Sequence, residues 1–160
     1  MKFLDDIKKI AIESFVMNND SIHGISHWDE VYKNGMMLSL QPGVDKLVVS
    51  IFAYLHDCKR EDDRQDPEHG DRAADFVVWL RNTSKLDLLT HSQYQKLWMA
   101  CLQHHKGIVD RNDPTIGACF DADRIELIRC GMVPKVELMS TEMGIRIAQK
   151  MQNLREFRGH

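Results

Sequence analysis

A histidine followed directly by an aspartate stands out in this sequence of 160 residues. His56 and Asp57 end the apolar segment DKLVVSIFAYLHDC, which predicts a helix buried in the middle of the protein. A carboxylate near an apolar interior is costly unless it is paired or coordinated, and a helix C-terminus also disfavours negative charge. A nearby cation would resolve both problems. A lone His-Asp doublet is more often a chance pair, so the hypothesis of a cation site needs further ligands.

Asp123 and His27 supply such ligands. Asp123 follows Phe120 by three residues and Cys119 by four, so it should face inward with them. His27 precedes Val31 by four residues and should also face inward, although a capping or surface histidine fits that position equally well. Two imidazoles and two carboxylates from three helices suit a divalent ion of the Mn, Fe, Co, Ni or Zn group. An octahedral ion would keep positions open for water and for a substrate oxygen.

The elements that carry these residues are all predicted to be helices. Apolar residues recur with the helical period of about 3.6, and no segment has the alternation of a clear strand. Proposed helix starts are Ser26 with Asp29, Asp66 with Pro67, Thr90 with Gln93, and Asp113 with Pro114. The predicted helices cover about 3–15, 26–40, 45–57, 67–81, 90–107, 113–130 and 134–155. We therefore expect a single all-α domain over 1–160, with about six to seven helices.

Composition limits the classes of function. A hydrophobic share of 43% supports one apolar core, and a net charge of -3 lacks the excess of Lys and Arg typical of a general nucleic-acid binder. The four cysteines form no C-x-x-C pair, which favours free thiols in a reducing cytoplasm. The first 15 residues are interrupted by acids, and no apolar run reaches the roughly 18 residues of a membrane span. We expect a cytoplasmic protein without a membrane partner, and a homo-oligomer remains open.

The order of the motifs resembles the HD-domain superfamily of metal-dependent phosphohydrolases, most closely its small stand-alone bacterial members. The motifs are HGISHWDEV, YLHDCKR, HGDRAA, a helix ending in HH, and DADR. The resemblance covers a motif core of about 23–129, with the N-terminal and C-terminal helices packed on it. It implies His27, His56, Asp57 and Asp123 as metal ligands, the same four that the residue pattern favours. It also implies a metal-activated water that attacks phosphorus in a phosphate ester or anhydride.

The resemblance adds candidates for a second metal ion or for proton transfer. His69 matches a histidine that many relatives carry after the His-Asp loop, and His104 with His105 resemble the paired histidines of dinuclear relatives. Ordinary capping at a helix end explains each of them as well. Asp121 ranks below Asp123 because its helical neighbours are mixed, and it could instead pair with a base or orient a ligand. We expect one divalent ion, with Mg also a candidate, and two ions remain open.

Four cations are candidates for holding phosphate oxygens: Lys59, Arg60, Arg72 and Arg124. Many relatives read His-Asp-x-Gly-Lys, so Arg60 stands where their lysine would be and Lys59 replaces the glycine. A solvated charged loop explains the stretch KREDDR equally well. Ile125 and Glu126 also depart from the family pattern, because many relatives have Leu and Asp there.

Hydrolysis of a small phosphorylated substrate, a phosphomonoester or a nucleotide, is the leading interpretation. A dinuclear phosphodiesterase is an alternative enzyme, but the glycine-rich and Tyr-Pro signature of the cyclic-di-GMP branch is absent after His104 and His105. The alternative from another class is a catalytically silent module that binds metal or nucleotide for a sensory or scaffolding role. Retention of all four ligands counts against the silent module.

Overall fold

The computed structural model describes residues 2–18 and 20–159, and its regular structure there is entirely helical. The α-helices are α1 (Lys2–Ser14), α2 (Ile25–Leu38), α3 (Lys46–Leu55), α4 (His69–Asn82), α5 (His91–Gln103), α6 (Pro114–Ile125) and α7 (Glu142–Arg158). Two 3-10 segments, Glu126–Cys130 and Val136–Leu138, connect α6 to α7. The predicted all-α fold of about six to seven helices is confirmed.

Helix α3 forms the centre of the domain. Its residues are apolar on nearly every side, and Ile51, Phe52 and Leu55 are completely buried. The carboxylate of Asp45 caps the start of α3 by accepting hydrogen bonds from two backbone N–H groups of its first turn. Helices α1, α2, α5 and α6 all pack against α3. The residues that follow α3 are therefore delivered into the interior of the protein.

Two of the predicted helix starts are confirmed. Thr90 and Gln93 form the complete capping box at the start of α5. Asp113 caps α6 with Pro114 in its first turn, and the Asp113 carboxylate accepts hydrogen bonds from two backbone N–H groups of that turn. These starts depend on neighbouring residues alone, which is why the sequence predicts them.

The start predicted at Ser26 is wrong, because α2 begins at Ile25 after Gly24 and has no side-chain cap. The indole Nε1 of Trp28 donates to the backbone oxygen of His23 at 2.7 Å. This contact holds the chain just before α2, so the first turn forms earlier than the capping pattern indicates.

The start predicted at Asp66 and Pro67 is also wrong, because α4 begins at His69. The Asp66 carboxylate instead accepts a hydrogen bond from the backbone N–H of Glu61 at 2.7 Å and forms an ion pair with Arg72. The Asp66 carboxylate therefore pairs with Arg72 instead of capping the helix, as the sequence had predicted.

The last two predicted helices are shorter than expected. Helix α6 ends at Ile125 and continues as a 3-10 segment through Cys130, and α7 begins at Glu142 rather than near Pro134. The hydroxyl of Thr141 caps α7 by accepting a hydrogen bond from a backbone N–H. The connection between the two helices therefore takes residues that the sequence placed in helices.

Candidate metal centre

The structure brings the four predicted ligands together from three parts of the chain. His27 lies in the first turn of α2, His56 and Asp57 follow α3, and Asp123 lies near the end of α6. The Nε2 atoms of His27 and His56 are 3.1 Å apart. A carboxylate oxygen of Asp123 lies 3.2 Å from the first of these atoms and 3.5 Å from the second. An Asp57 oxygen, Oδ2, lies 3.4 Å and 3.5 Å from the same two atoms.

Backbone and carboxylate contacts orient both imidazoles. Nδ1 of His56 lies 3.2 Å from the carbonyl oxygen of Phe52 and 3.0 Å from that of Ala53. A carbonyl can only accept, so Nδ1 carries the proton and Nε2 presents its lone pair to the cluster. Nδ1 of His27 faces an oxygen of Glu126 at 3.5 Å. Support of the outer ring nitrogen in this way is characteristic of histidines that bind metals.

The electrostatics of the cluster favour a positive charge at its centre. Burial by itself lowers the pKa of His27, but the carboxylates around it, led by Asp123 and Asp57, outweigh that effect and raise the pKa to about 11. Burial would raise the pKa of Asp57, yet the charge of His56 and the surrounding imidazoles hold it well below its ordinary value. The imidazoles lower the pKa of Asp123 in the same way against its burial. Both carboxylates are therefore ionised and available to a cation.

A second group of donors faces the other oxygen of Asp57. Nε2 of His69 and Nε2 of His104 each lie 3.3 Å from Asp57 Oδ1, and they are 3.0 Å from one another. Nδ1 of His104 donates to the carbonyl of Cys101 at 2.8 Å, and Nδ1 of His69 donates to the carbonyl of Asp66. Both Nε2 atoms therefore present lone pairs, and the Asp57 carboxylate lies between two clusters of nitrogen and oxygen donors.

His105 completes this second group. Its ligand atom and those of His69 and His104 lie within 4.8 Å of one another. Nε2 of His105 donates to the carbonyl of Pro67 at 2.9 Å, and its buried Nδ1 has no hydrogen-bond partner within the described part of the chain. Its ring packs so closely on Gly70 that a Cβ atom there would lie 2.5 Å from Nδ1.

Burial is the largest cause that lowers the pKa of His69 to about 4. The His69 imidazole is therefore kept in the neutral form that metals bind.

His23 joins the cluster although the sequence analysis did not select it. Its Nδ1 lies 3.3 Å from Asp57 Oδ2, and its Nε2 lies 3.2 Å from the carbonyl oxygen of Asp63. The His23 side chain is 25% exposed, which places it at the mouth of the site. His23 precedes α2, which begins at Ile25, so the helical spacing used to select the other residues does not apply to it.

Among the four phosphate-binding candidates, Arg60 reaches the site. Its Nη1 lies 3.2 Å from both ring nitrogens of His69 and 3.9 Å from Asp57 Oδ1. Its Nε donates to the backbone oxygen of Asp62 at 3.0 Å, which fixes the guanidinium against the cluster. Lys59, its neighbour in the chain, points elsewhere and places its Nζ 5.0 Å from the centre of the Phe76 ring.

The other two cations have structural partners away from the site. Arg72 pairs with Asp66 and donates from Nε to the carbonyl of Lys59 at 3.0 Å. Arg124 donates from Nη1 to the carbonyl of Leu138 and lies over the ring of Phe120. Both guanidinium groups are engaged in holding loops, so neither occupies the phosphate-binding position considered for it.

Asp121 also lies outside the cluster, which corrects its candidacy as a catalytic or second-metal residue. Its carboxylate accepts hydrogen bonds from the backbone N–H groups of Ser140 and Thr141, both at 2.8 Å, and from the Thr141 hydroxyl at 2.7 Å. Asp121 is completely buried, and burial is the main cause that raises its pKa. Asp121 therefore stabilises the start of α7, a partner that its local sequence does not indicate.

A cavity of about 130 Å³ opens onto the cluster. This volume corresponds to about four water molecules, so it can accept a group of roughly the size of phosphate. The lining consists of Ile22, His23, His27, Asp57, Arg60, His69, His104, His105, Asp123, Glu126, Leu127, Arg129 and Cys130. Glu126 and Arg129 are among the lining residues that were not selected from the sequence as site residues. They lie in the 3-10 segment after α6, where the helical spacing used to choose Asp123 no longer applies.

A solved structure establishes the type of fold. The crystal structure of a predicted HD superfamily hydrolase from an uncultured Thermotogales bacterium superposes on this chain with a TM-score of 0.73. The two sequences are 24% identical, and the match covers 98% of this chain and 89% of the other. No protein-family model and no curated protein matches the sequence. The chain therefore shares the fold of that solved structure.

Within residues 2–18 and 20–159, every helix is too short or too polar to cross a bilayer.

Proposed function

We propose that this protein is a metal-dependent phosphohydrolase that acts on a phosphate ester or anhydride of a small molecule. The observation that carries the proposal is the convergence of His27, His56, Asp57 and Asp123, whose donor atoms lie 3.1–3.5 Å apart in the five pairs that include a histidine. Adjacent ligands about 2.1 Å from one transition-metal ion are roughly 3.0–3.4 Å apart, depending on the coordination angle. The donor set of imidazole and carboxylate fits a divalent ion of the Mn, Fe, Co, Ni or Zn group, with Mg a further candidate.

A divalent ion at these residues would supply a nucleophile by lowering the pKa of water and would neutralise charge on the phosphoryl group. The chain supplies the positioning. The backbone carbonyls of Phe52 and Ala53 hold the His56 ring, and Glu126 faces the outer nitrogen of His27. These contacts keep both Nε2 atoms directed at the cluster before a substrate arrives.

Arg60 and His23 are placed to act on the substrate itself. The Arg60 guanidinium lines the cavity beside Asp57 and offers donors to phosphate oxygens. His23 lies at the cavity mouth, where it can deliver a proton to a leaving oxygen that points toward solvent. Together they would provide charge stabilisation and proton transfer in the same small cavity.

A substrate panel with added metal tests this function. We expect the purified protein to contain about one equivalent of divalent metal by elemental analysis. We also expect it to release phosphate from a generic phosphomonoester or from one member of a nucleotide panel with Mn, Co, Ni, Mg or Zn. Phosphate release that stops with a chelator and returns with metal would support the proposal. Neither metal nor turnover under any ion would favour a silent module that serves a sensory or scaffolding role.

A dinuclear phosphodiesterase is the second candidate, and one observation favours it. The Asp57 carboxylate faces His27 and His56 with one oxygen and His69 and His104 with the other. A carboxylate in this position can bridge two metal ions. Two equivalents of metal together with cleavage of a phosphodiester such as bis(p-nitrophenyl) phosphate would support this candidate over the phosphomonoesterase.

We further infer that the chain forms one domain that works in a reducing cytoplasm. Helix α1 packs on α3 and α7 packs on α6, which is consistent with a motif core flanked by terminal helices. Cys58, Cys101 and Cys119 are buried free thiols, and Cys130 is an exposed one. Free thiols are typical of proteins kept in a reducing compartment.

A further inference from the structure

A second, larger cavity lies beside the candidate metal centre. It is a groove of about 780 Å³ between α2 and α7. Met37 lies on its α2 side, Met151 and Leu154 lie on its α7 side, and Ile125 is part of its lining near the end of α6. Ile128 and Ile147 add to this apolar surface, while polar residues that include Glu30 and Lys150 border it. The volume of the groove falls within the range of about 300–1,000 Å³ that is usual for small-molecule sites.

The groove and the metal-centre cavity meet at two residues. Glu126 and Arg129 line both of them. Arg129 Nε lies 2.9 Å from a carboxylate oxygen of Glu126, and the Arg129 guanidinium also donates to the backbone carbonyl of Ile22. Glu126 Oε2 lies 3.2 Å from Arg129 Nε and 3.5 Å from His27 Nδ1. The Glu126–Arg129 ion pair therefore borders both cavities, and a molecule that occupies both must pass beside it.

The two cavities differ in what they can accept. The metal-centre cavity has about 130 Å³, so its size suits a phosphoryl group and little more; imidazoles, carboxylates and two arginines line it beside Ile22, Leu127 and Cys130. A substrate whose phosphate lies there must place the rest of its body elsewhere. The groove offers about six times that volume, 780 Å³ against 130 Å³.

We propose that the groove binds the leaving group of the substrate, and that the substrate is a phosphate monoester of an elongated, mainly apolar alcohol. This inference rests on the proposed phosphohydrolase function. In the reaction, a bond forms between phosphorus and the oxygen of water, and the bond between phosphorus and the alcohol oxygen breaks. The alcohol oxygen takes up a proton, so inorganic phosphate and the neutral alcohol are the products.

The leaving group is assigned to the groove because of where the groove lies and what lines it. It adjoins the metal-centre cavity, and Arg129, which is paired with Glu126, lines both of them. Met151 and Leu154 follow one another on the same face of α7, so they offer a continuous apolar surface to a long chain. Each methylene group buried on that surface adds to transition-state binding, which makes chain length a measure of groove occupancy.

Hydrolysis of alkyl phosphates of different length tests the proposal. We expect the kcat/KM of the metal-loaded protein for octyl phosphate to exceed that for ethyl phosphate by at least about tenfold. In the variants Met151→Lys and Leu154→Lys, that ratio should fall below about threefold, because a charge replaces part of the apolar surface. Phe157→Lys is the matched control, because Phe157 is 85% exposed on the same helix and lies outside the groove. Its ratio should equal that of the unaltered protein.

Calorimetry separates failure of this inference from failure of the proposed function. The probes are octylphosphonate and ethylphosphonate, which bind without being hydrolysed. Release of phosphate from both esters at equal kcat/KM would overturn the groove assignment while leaving the phosphohydrolase intact. If no ester is hydrolysed, tighter binding of octylphosphonate that Met151→Lys removes would still support the groove. Equal or absent binding of the two phosphonates would overturn the groove assignment. It would also be overturned if the protein showed no chain-length preference and formed a dimer that Met151→Lys dissociates.

Discussion

The Nε2 atoms of His27 and His56 face one another at 3.1 Å, although the proton of His56 is already committed to backbone carbonyls through Nδ1. Two such lone pairs repel unless a proton or a metal ion lies between them. The carboxylates of Asp57 and Asp123 border the same point, and their negative charge attracts a cation to it. The folded chain thus stabilises a positive charge at this position, and the imidazole–carboxylate composition favours a divalent transition metal.

Replacement of Asp57 should abolish metal binding. Asp57→Asn keeps the shape of the side chain but removes the charge that faces His27 and His56 on one oxygen and His69 on the other. We expect the metal content to fall below about a tenth of an equivalent, and kcat/KM to fall at least about a hundredfold, because even supporting residues of metal sites contribute 10–100-fold. Elemental analysis and a phosphate-release assay measure the two effects.

The matched control for this variant is Asp75→Asn, which changes an exposed aspartate on α4. It should keep both metal and activity. Circular dichroism should show the same helical content in both variants. Full metal content and full turnover in Asp57→Asn would rule out the proposed centre.

His69→Ala should separate the first metal position from the second. His69 contacts the Asp57 oxygen that faces away from His27 and His56, so its loss leaves the first cluster intact. We expect one equivalent of metal to remain and kcat to fall about 10–100-fold. A fall from two equivalents to one would identify a dinuclear centre. His91→Ala, an exposed histidine at the start of α5, should change neither quantity, and complete metal loss in His69→Ala would contradict the division into two positions.

Substitutions of Arg60 and Lys59 should differ sharply in their effect on kcat/KM, although the two residues are adjacent in the chain. Arg60 lines the cavity beside Asp57, whereas the Lys59 ammonium lies over the Phe76 ring. We expect Arg60→Ala to lower kcat/KM for a phosphomonoester about 10–100-fold with its metal retained, since it removes charge-assisted hydrogen bonds to phosphate. Lys59→Ala should stay within about twofold. Equal effects of the two variants in steady-state kinetics would disprove the assignment of the phosphate-binding role to Arg60.

Asp121→Ala should affect stability rather than metal binding. The Asp121 carboxylate accepts three buried hydrogen bonds from Ser140 and Thr141. We expect the free energy of unfolding in urea to fall by about 2–4 kcal/mol, because buried donors lose their partners. The metal content at low temperature should stay unchanged, as it should in the exposed control Asp75→Ala. Loss of metal with unaltered stability would return Asp121 to the candidate site.

Several features of the fold and of the candidate site follow from short-range signals in the sequence. The capping box of Thr90 and Gln93 and the cap of Asp113 appear in the structure because each involves residues within one helical turn. The inward direction of Asp123 followed from its apolar neighbours for the same reason. Ser26 and Asp66 carry similar signals, but the helices begin elsewhere. Trp28 contacts the loop backbone at His23 before α2, and Arg72 pairs with Asp66 before α4.

The roles of other residues required the tertiary structure. Asp121 and Asp123 are two residues apart on α6 and have equally acidic side chains, yet one holds the segment before α7 and the other faces the histidines. His23 and Arg129 lie far apart in the chain and meet at the cavity because the loop before α2 packs near the 3-10 segment after α6. Pairing across such distances depends on which helices pack together.

The sequence by itself determined the helical class, the buried position of His56 and Asp57, and the donor types of the metal centre. These properties depend on side-chain chemistry and on a helical period of about 3.6 residues, both of which are local. Only the tertiary structure decided that Asp57 lies between two groups of histidines and that Arg60, rather than Lys59, lines the cavity. Those relationships are set by the packing of α2, α3, α4, α5 and α6, in which residues distant along the chain compete for the same buried partners.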